Sequence, residues 1–226
     1  MAEESEHVTE ITPQSRQSYP DIKRWYKVVF AGDPGVGKTS LLLRFIKDIF
    51  REQAPTIGGD ANAFPKVITL ENGAKVGLEL WDTVGLERHH SVTDNYYRNA
   101  DAVLFCYAID EKMSFEDISE WWRDVHSRLG DTFNDDIAKF LVGTKKDLYN
   151  ADSDDQVGQE KVEKEREKRK VAAFIETSSK ENININELFE MVAQEVHKRG
   201  SSKEPTIRVD CITSTASSQK KKSCCN

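Results

Sequence analysis

Residues 32–39 read Gly-Asp-Pro-Gly-Val-Gly-Lys-Thr, a full G-x-x-x-x-G-K-[ST] pattern, and few eight-residue strings constrain a fold as tightly. Glycines let the backbone wrap an anion, while the lysine and threonine supply a cation and a hydroxyl at fixed offsets. Such a loop works between a strand and a helix, where amide N–H groups and the helix N-terminus face one phosphate. Both flanks agree. Trp25–Ala31 (WYKVVFA) is a β-branched and aromatic run that predicts a buried strand; Ser40–Phe50 places Leu42, Leu43, Ile46 and then Ile49 or Phe50 near helical spacing. Gly32, Asp33, Pro34, Gly35, Val36, Gly37, Lys38, Thr39 and Ser40 are therefore the candidate phosphate site, with Lys38 for the β- and γ-phosphates and Thr39 for Mg²⁺. Pro34 is unusual there, since it removes one amide donor and fixes φ near roughly −65°.

The remaining segments alternate. Lys66–Leu70 and Ala74–Trp81 flank Glu71-Asn72-Gly73, the strongest short-range signal for a hairpin. Ala102–Ile109 (AVLFCYAI) is almost continuously apolar, as a parallel strand buried on both faces should be. A helix over 114–129, a strand over 138–143, a helix over 158–172, a strand over 173–176 and a helix over 186–200 complete the order, with Gly200 as the helix stop. The expected fold is α/β in three layers: a six-stranded, mostly parallel sheet with one antiparallel edge strand and helices on both faces. Cys106 reads as a buried small hydrophobe, Trp81, Trp121 and Trp122 as packing aromatics, and GQEKVEKEREKRK as a solvated charged helix.

Composition divides the chain of 226 residues, which is 38% hydrophobic and 31% charged. A net charge of −7 argues against a nucleic-acid binder. Residues 200–226 carry +3 and the rest −10, so the tail differs in kind from the body. Residues 1–24 are expected to be a disordered arm, 25–199 the folded domain and 200–226 a flexible tail. Four scattered cysteines make no disulfide scaffold and suit a reducing compartment. There is no secretory h-region, no apolar run of membrane-spanning length and no glycine at position 2 for myristoylation, so membrane attachment would have to be chemical.

Four further segments follow the loop in order: Thr56-Ile57-Gly58, Asp82-Thr83-Val84-Gly85, Thr144-Lys145-Lys146-Asp147 and Thr177-Ser178-Ser179-Lys180. Together the five resemble the Ras-superfamily small GTPases over residues 25–199, and the resemblance implies GTP/GDP and Mg²⁺ as ligands. Under it, Asp147 accepts hydrogen bonds from guanine N1 and N2, Lys145 packs its stem over the base beside Phe50, and Ser178, Ser179 and Lys180 present donors to O6. Thr39 and Thr56 ligate Mg²⁺, Asp82 acts on it through water, and Gly85 meets the γ-phosphate. Thr144 stands where Asn is usual, as in Rho-type members. A P-loop ATPase or small-molecule kinase is the alternative of another class.

Leu86 occupies the place of the family's water-orienting Gln and has no hydrogen-bonding group, which implies slow hydrolysis or, in the limit, a GTP-bound scaffold that does not turn over. The first switch is one residue short, and GGDANAFPK after it is long and carries Pro65, so effectors reading this surface are expected to be uncommon ones. WDTVGLERHHSVTDNYYR resembles the Rab subfamily, with His89 in place of an aromatic; His89 and His90 lack spaced ligand partners and read as surface residues. Ser223 rules out a C-a-a-X box, whereas Cys224 and Cys225 resemble the Rab double-geranylgeranyl signal behind Lys220, Lys221 and Lys222. Cys211 is either a further acylation site or an unmodified residue, and the second is the simpler reading. The resemblance implies a monomeric, lipid-anchored switch at the cytoplasmic face of an intracellular membrane, in vesicle trafficking. Its expected partners are an exchange factor, a GAP, effectors and the prenylation machinery.

Overall fold

A computed structural model describes residues 19–51, 63–82, 96–150 and 156–201. Strand β1 (Trp25–Ala31) leads through the glycine loop into helix α1 (Lys38–Lys47). The hairpin β2 (Ala63–Thr69) and β3 (Lys75–Trp81) follows, then β4 (Ala102–Ala108), α2 (Lys112–Glu116), α3 (Ile118–Leu129), α4 (Thr132–Asp135) and β5 (Ala138–Thr144). A 3-10 turn at Lys146–Leu148, α5 (Gln159–Arg169), β6 (Ala173–Glu176) and α6 (Ile185–Ser201) close the order. The strands lie in the order β2-β3-β1-β4-β5-β6, with only β2 antiparallel, so the expected sheet is observed.

Period-two alternation sends residues of one strand into two cores. Val28 and Phe30 join Leu41 and Leu42 of α1 and Leu188, Phe189 and Val192 of α6 on one face. Val29 and Ala31 join Trp121 and Val125 of α3, Phe133 of α4 and Val162 of α5 on the other. Strands β4 and β5 are buried along their whole length, which their continuous apolar runs require. On α5 only Val162 is buried, and Glu160–Lys164, Glu163–Arg166 and Glu165–Lys168 pairs lace its outer side.

Several element boundaries depart from the sequence expectation. β2 begins at Ala63, before Pro65, because β2 is the edge strand and a proline there removes no ladder bond. The helix expected over 114–129 starts earlier and is divided at Asp117, and α4 appears as a separate turn. Gly200 does not stop α6, which continues to Ser201; a Cβ at that position would overlap the Tyr26 ring, so close approach is what requires glycine. Residues 19–24 pack against the sheet: Tyr19 meets Trp25 edge-on at 6.0 Å, and Arg24 pairs with Asp101 at 2.6 Å. Positions 1–18 and 202–226 lie outside the described residues.

Candidate functional site

The loop after β1 is seated on the neighbouring strand. Gly32 has φ +144°, and a Cβ there would overlap the carbonyl oxygen of Cys106, so no other residue fits this approach. Cys106 itself is buried, and burial pushes its thiol up to about 12, which makes it a packing residue. Gly37, at φ 101°, delivers the chain into α1 at Lys38, two residues earlier than apolar periodicity alone suggested. The buried Lys38 ammonium donates to Gly32 O at 2.7 Å and Asp33 O at 2.8 Å, curling the loop around its own cation. Asp33 accepts the indole N–H of Trp121 at 2.7 Å; the sequence marked that tryptophan only as a packing group. Pro34 and Gly35 are exposed at the loop crest, while Val36 is buried beneath it.

Behind the loop, Thr39 Oγ1 donates to Asp82 Oδ2 at 2.7 Å. Asp82 Oδ1 is buried and has no hydrogen-bond partner among the described residues. Desolvation pushes the Asp82 carboxyl up to about 6, against the lowering effects of the Thr39 bond and the Lys38 charge. The Thr39 hydroxyl beside the Asp82 carboxylate, whose Oδ1 is orphaned, makes a set of hard oxygens that fits a small divalent cation such as Mg²⁺.

A cleft of about 290 Å³ opens beside the loop, lined by Gly35, Gly37, Ser40, Phe50, Thr144, Lys145, Asp147, Ser179 and Lys180 of the expected set. Arg51 and Leu148 line it as well and carry no sequence signal. Asp147 Oδ1 accepts the Ser178 hydroxyl at 2.6 Å, and Lys180 Nζ stands 3.9 Å from Oδ2. Ser178 Oγ in turn accepts the Glu181 N–H at 3.0 Å, so its donor and acceptor are both used. Lys145 sits in the left-handed region at φ 58°, the strained conformation that functional loops tolerate. Thr144 is buried; its hydroxyl hydrogen-bonds Val36 O in the glycine loop and lies 2.9 Å from Tyr107 O on β4. A residue short enough to fit and able to donate is what the position asks for, which Thr meets in place of Asn. Thr56, Gly85 and Leu86, like His89, Cys211, Cys224 and Cys225, lie outside the described residues.

The model of the Ras family matches residues 27–198, which span the glycine loop, Asp82, Asp147 and the 178–180 loop. The chain belongs to the Ras family. Ras-related protein Rab-10 of Diplobatis ommata is 35% identical over 203 residues, covering 89% of this chain and 96% of the relative. Ras-related protein rab-39 of Caenorhabditis elegans is 40% identical, covering 77% and 74%. Ras-related protein Rab-17 of Homo sapiens is 36% identical, covering 88% and 89%. Within the Ras superfamily this chain is thus a divergent Rab-like GTPase. The glycine loop after β1 and the loops after β5 and β6 lie at the same ends of parallel strands, which is why they share one cleft.

Proposed function

We propose that this chain is a Rab-like GTP/GDP switch of vesicle trafficking, held at the cytoplasmic face of an intracellular membrane and slow to hydrolyse GTP. The observation that carries the reading is one cleft shared by the glycine loop and the Asp147 carboxylate, with a cation-fitting Thr39–Asp82 pair beside that loop. Asp147 is an acceptor where guanine offers N1–H and the 2-amino group, whereas adenine sets an N1 lone pair and a C2–H there; a carboxylate facing a lone pair loses two hydrogen bonds, so guanine is selected. Phe50 and the Lys145 stem flank the base, and Ser179 and Lys180 hold the 6-oxo side; Ser178, expected to join them, has its N–H bonded to Ile183 O and its hydroxyl to Asp147, so it orients that carboxylate instead. Lys38 transfers its donors from Gly32 O and Asp33 O to phosphate oxygens. Thr39, Asp82 and Thr56 hold Mg²⁺, which neutralises phosphate charge. The contacts of Thr56 and Gly85 with the γ-phosphate exist only while that phosphate is present, so the segments bearing them are ordered by GTP and released with GDP, and effectors read that difference.

Leu86 supports slow turnover, because a leucine cannot orient water; a loss of about 100-fold corresponds to about 2.7 kcal/mol on the barrier. A GTP-bound scaffold with no turnover is the limiting form of the same observation. Cys224 and Cys225 are read as twin prenylation sites beside a lysine cluster, and the switch as a monomer meeting an exchange factor, a GAP and effectors. The expected outcome in titrations is GDP tighter than ADP by at least about 1,000-fold. In single-turnover assays, Leu86→Gln should hydrolyse GTP faster than the wild type. Equal affinities for GDP and ADP would sink the guanine reading; equal rates would sink the assignment of Leu86.

A further inference from the structure

Arg44 lies on α1 and does not line the cleft, yet its guanidinium touches two segments that do. Nε donates to Ser179 O at 2.7 Å and Nη2 to Lys180 O at 3.3 Å. Nη1 donates to both Asp48 O and Asp48 Oδ1 at 3.0 Å. The Asp48 carboxylate is 78% exposed, so that ion pair adds little. The three carbonyls decide the role of this residue, whose own side chain is only 14% exposed.

A trans peptide points its C=O and N–H in opposite directions. Holding Ser179 O therefore turns the Lys180 N–H away from Arg44, and Ser179 and Lys180 line the cleft that Arg44 does not. The next amide, Glu181 N–H, is already committed to Ser178 Oγ. Asp48, held by the same guanidinium, is the left-handed residue (φ 54°) through which the chain leaves α1 toward Phe50. One planar fork thus fixes two walls of the cleft, which a single ammonium could not span.

We propose that Arg44 is a positioning residue for base recognition, orienting the Lys180 amide toward the purine 6-oxo group while tying that loop to the Phe50 wall. The inference rests on the guanine reading above and adds a residue to it. The test uses the full chain and three nucleotides. GDP carries every group to be read; 6-thio-GDP keeps N1–H and the amino group but replaces O6 by sulfur, a weaker acceptor; IDP keeps O6 but lacks the amino group. Arg44→Met is expected to weaken GDP binding about tenfold and to reduce the preference for GDP over 6-thio-GDP by at least about threefold. The preference for GDP over IDP, set at Asp147, should hold. Arg44→Lys should recover part of the first ratio, and it carries the same comparison if Arg44→Met does not fold. Equal losses for all three nucleotides, or no loss, would overturn the proposal. A wild type indifferent between GDP and ADP would instead overturn the guanine reading.

Discussion

Asp82 combines a buried oxygen that lacks a hydrogen-bond partner among the described residues with a carboxyl pushed up to about 6 by desolvation. The folded-state pKa stands above the unfolded one, so the folded chain takes up the proton first. The cost of burying the charge therefore fades as pH falls through 6 toward about 4. Without magnesium, wild type should gain about 1 kcal/mol on Asp82→Asn between pH 7 and pH 5, read from urea melts of both proteins. A difference that does not move with pH contradicts this. With magnesium the sign reverses, because the metal needs the ionised carboxylate; apparent Mg²⁺ affinity should weaken about tenfold per unit below pH 6. The Lys38 ammonium is held by two carbonyls of its own loop, which on the proposed reading would surrender it to a phosphate, the stronger acceptor.

Among the elements, α5 is instructive because sequence alone made it a solvated helix and the structure shows what fastens it. Arg169, with a side chain 10% exposed, donates to Glu165 at 2.6 Å and to Ser119 Oγ of α3 at 2.8 Å, and its guanidinium lies 4.9 Å from the Trp122 ring centre. Lys164 on the same helix makes only an exposed pair with Glu160. Arg169→Ala should cost about 1–2 kcal/mol in a denaturant melt and Lys164→Ala under about 0.5 kcal/mol; similar costs would mean that α5 is held by Val162 alone. Strands were legible wherever burial on both faces wrote itself as a continuous apolar run, as in Ala102–Ala108, and the Asn72-Gly73 turn announced its hairpin. Two of the misplaced boundaries share a cause: Gly200 and Pro65 are local punctuation whose meaning depends on a neighbour distant in sequence or on an edge. Nine lining residues of the cleft came from motifs whose spacing encodes chemistry. Arg44 could not be read that way, since its partners lie 135 and 136 positions away.

Charge is divided unevenly along the chain, −10 over residues 1–199 against +3 over residues 200–226. With paired prenyl chains the tail would hold by apolar burial, and the lysines would add attraction to an anionic leaflet of about 1 kcal/mol each. In flotation with anionic vesicles, prenylated full chain should float, either Cys224→Ser or Cys225→Ser should bind reversibly, and the double variant should remain in the aqueous fraction. Flotation of the double variant would move the anchor elsewhere in the chain.

The Thr144 hydroxyl carries a single hydrogen, and two carbonyls lie within its reach, Val36 O from the glycine loop and Tyr107 O from the strand beneath. One proton thus joins the half of the cleft that would meet phosphate to the half that would meet the base. If the cleft holds a nucleotide as proposed, an opening that starts at either end would slacken the other through the same oxygen, and a partner that speeds exchange would need to push on only one of them.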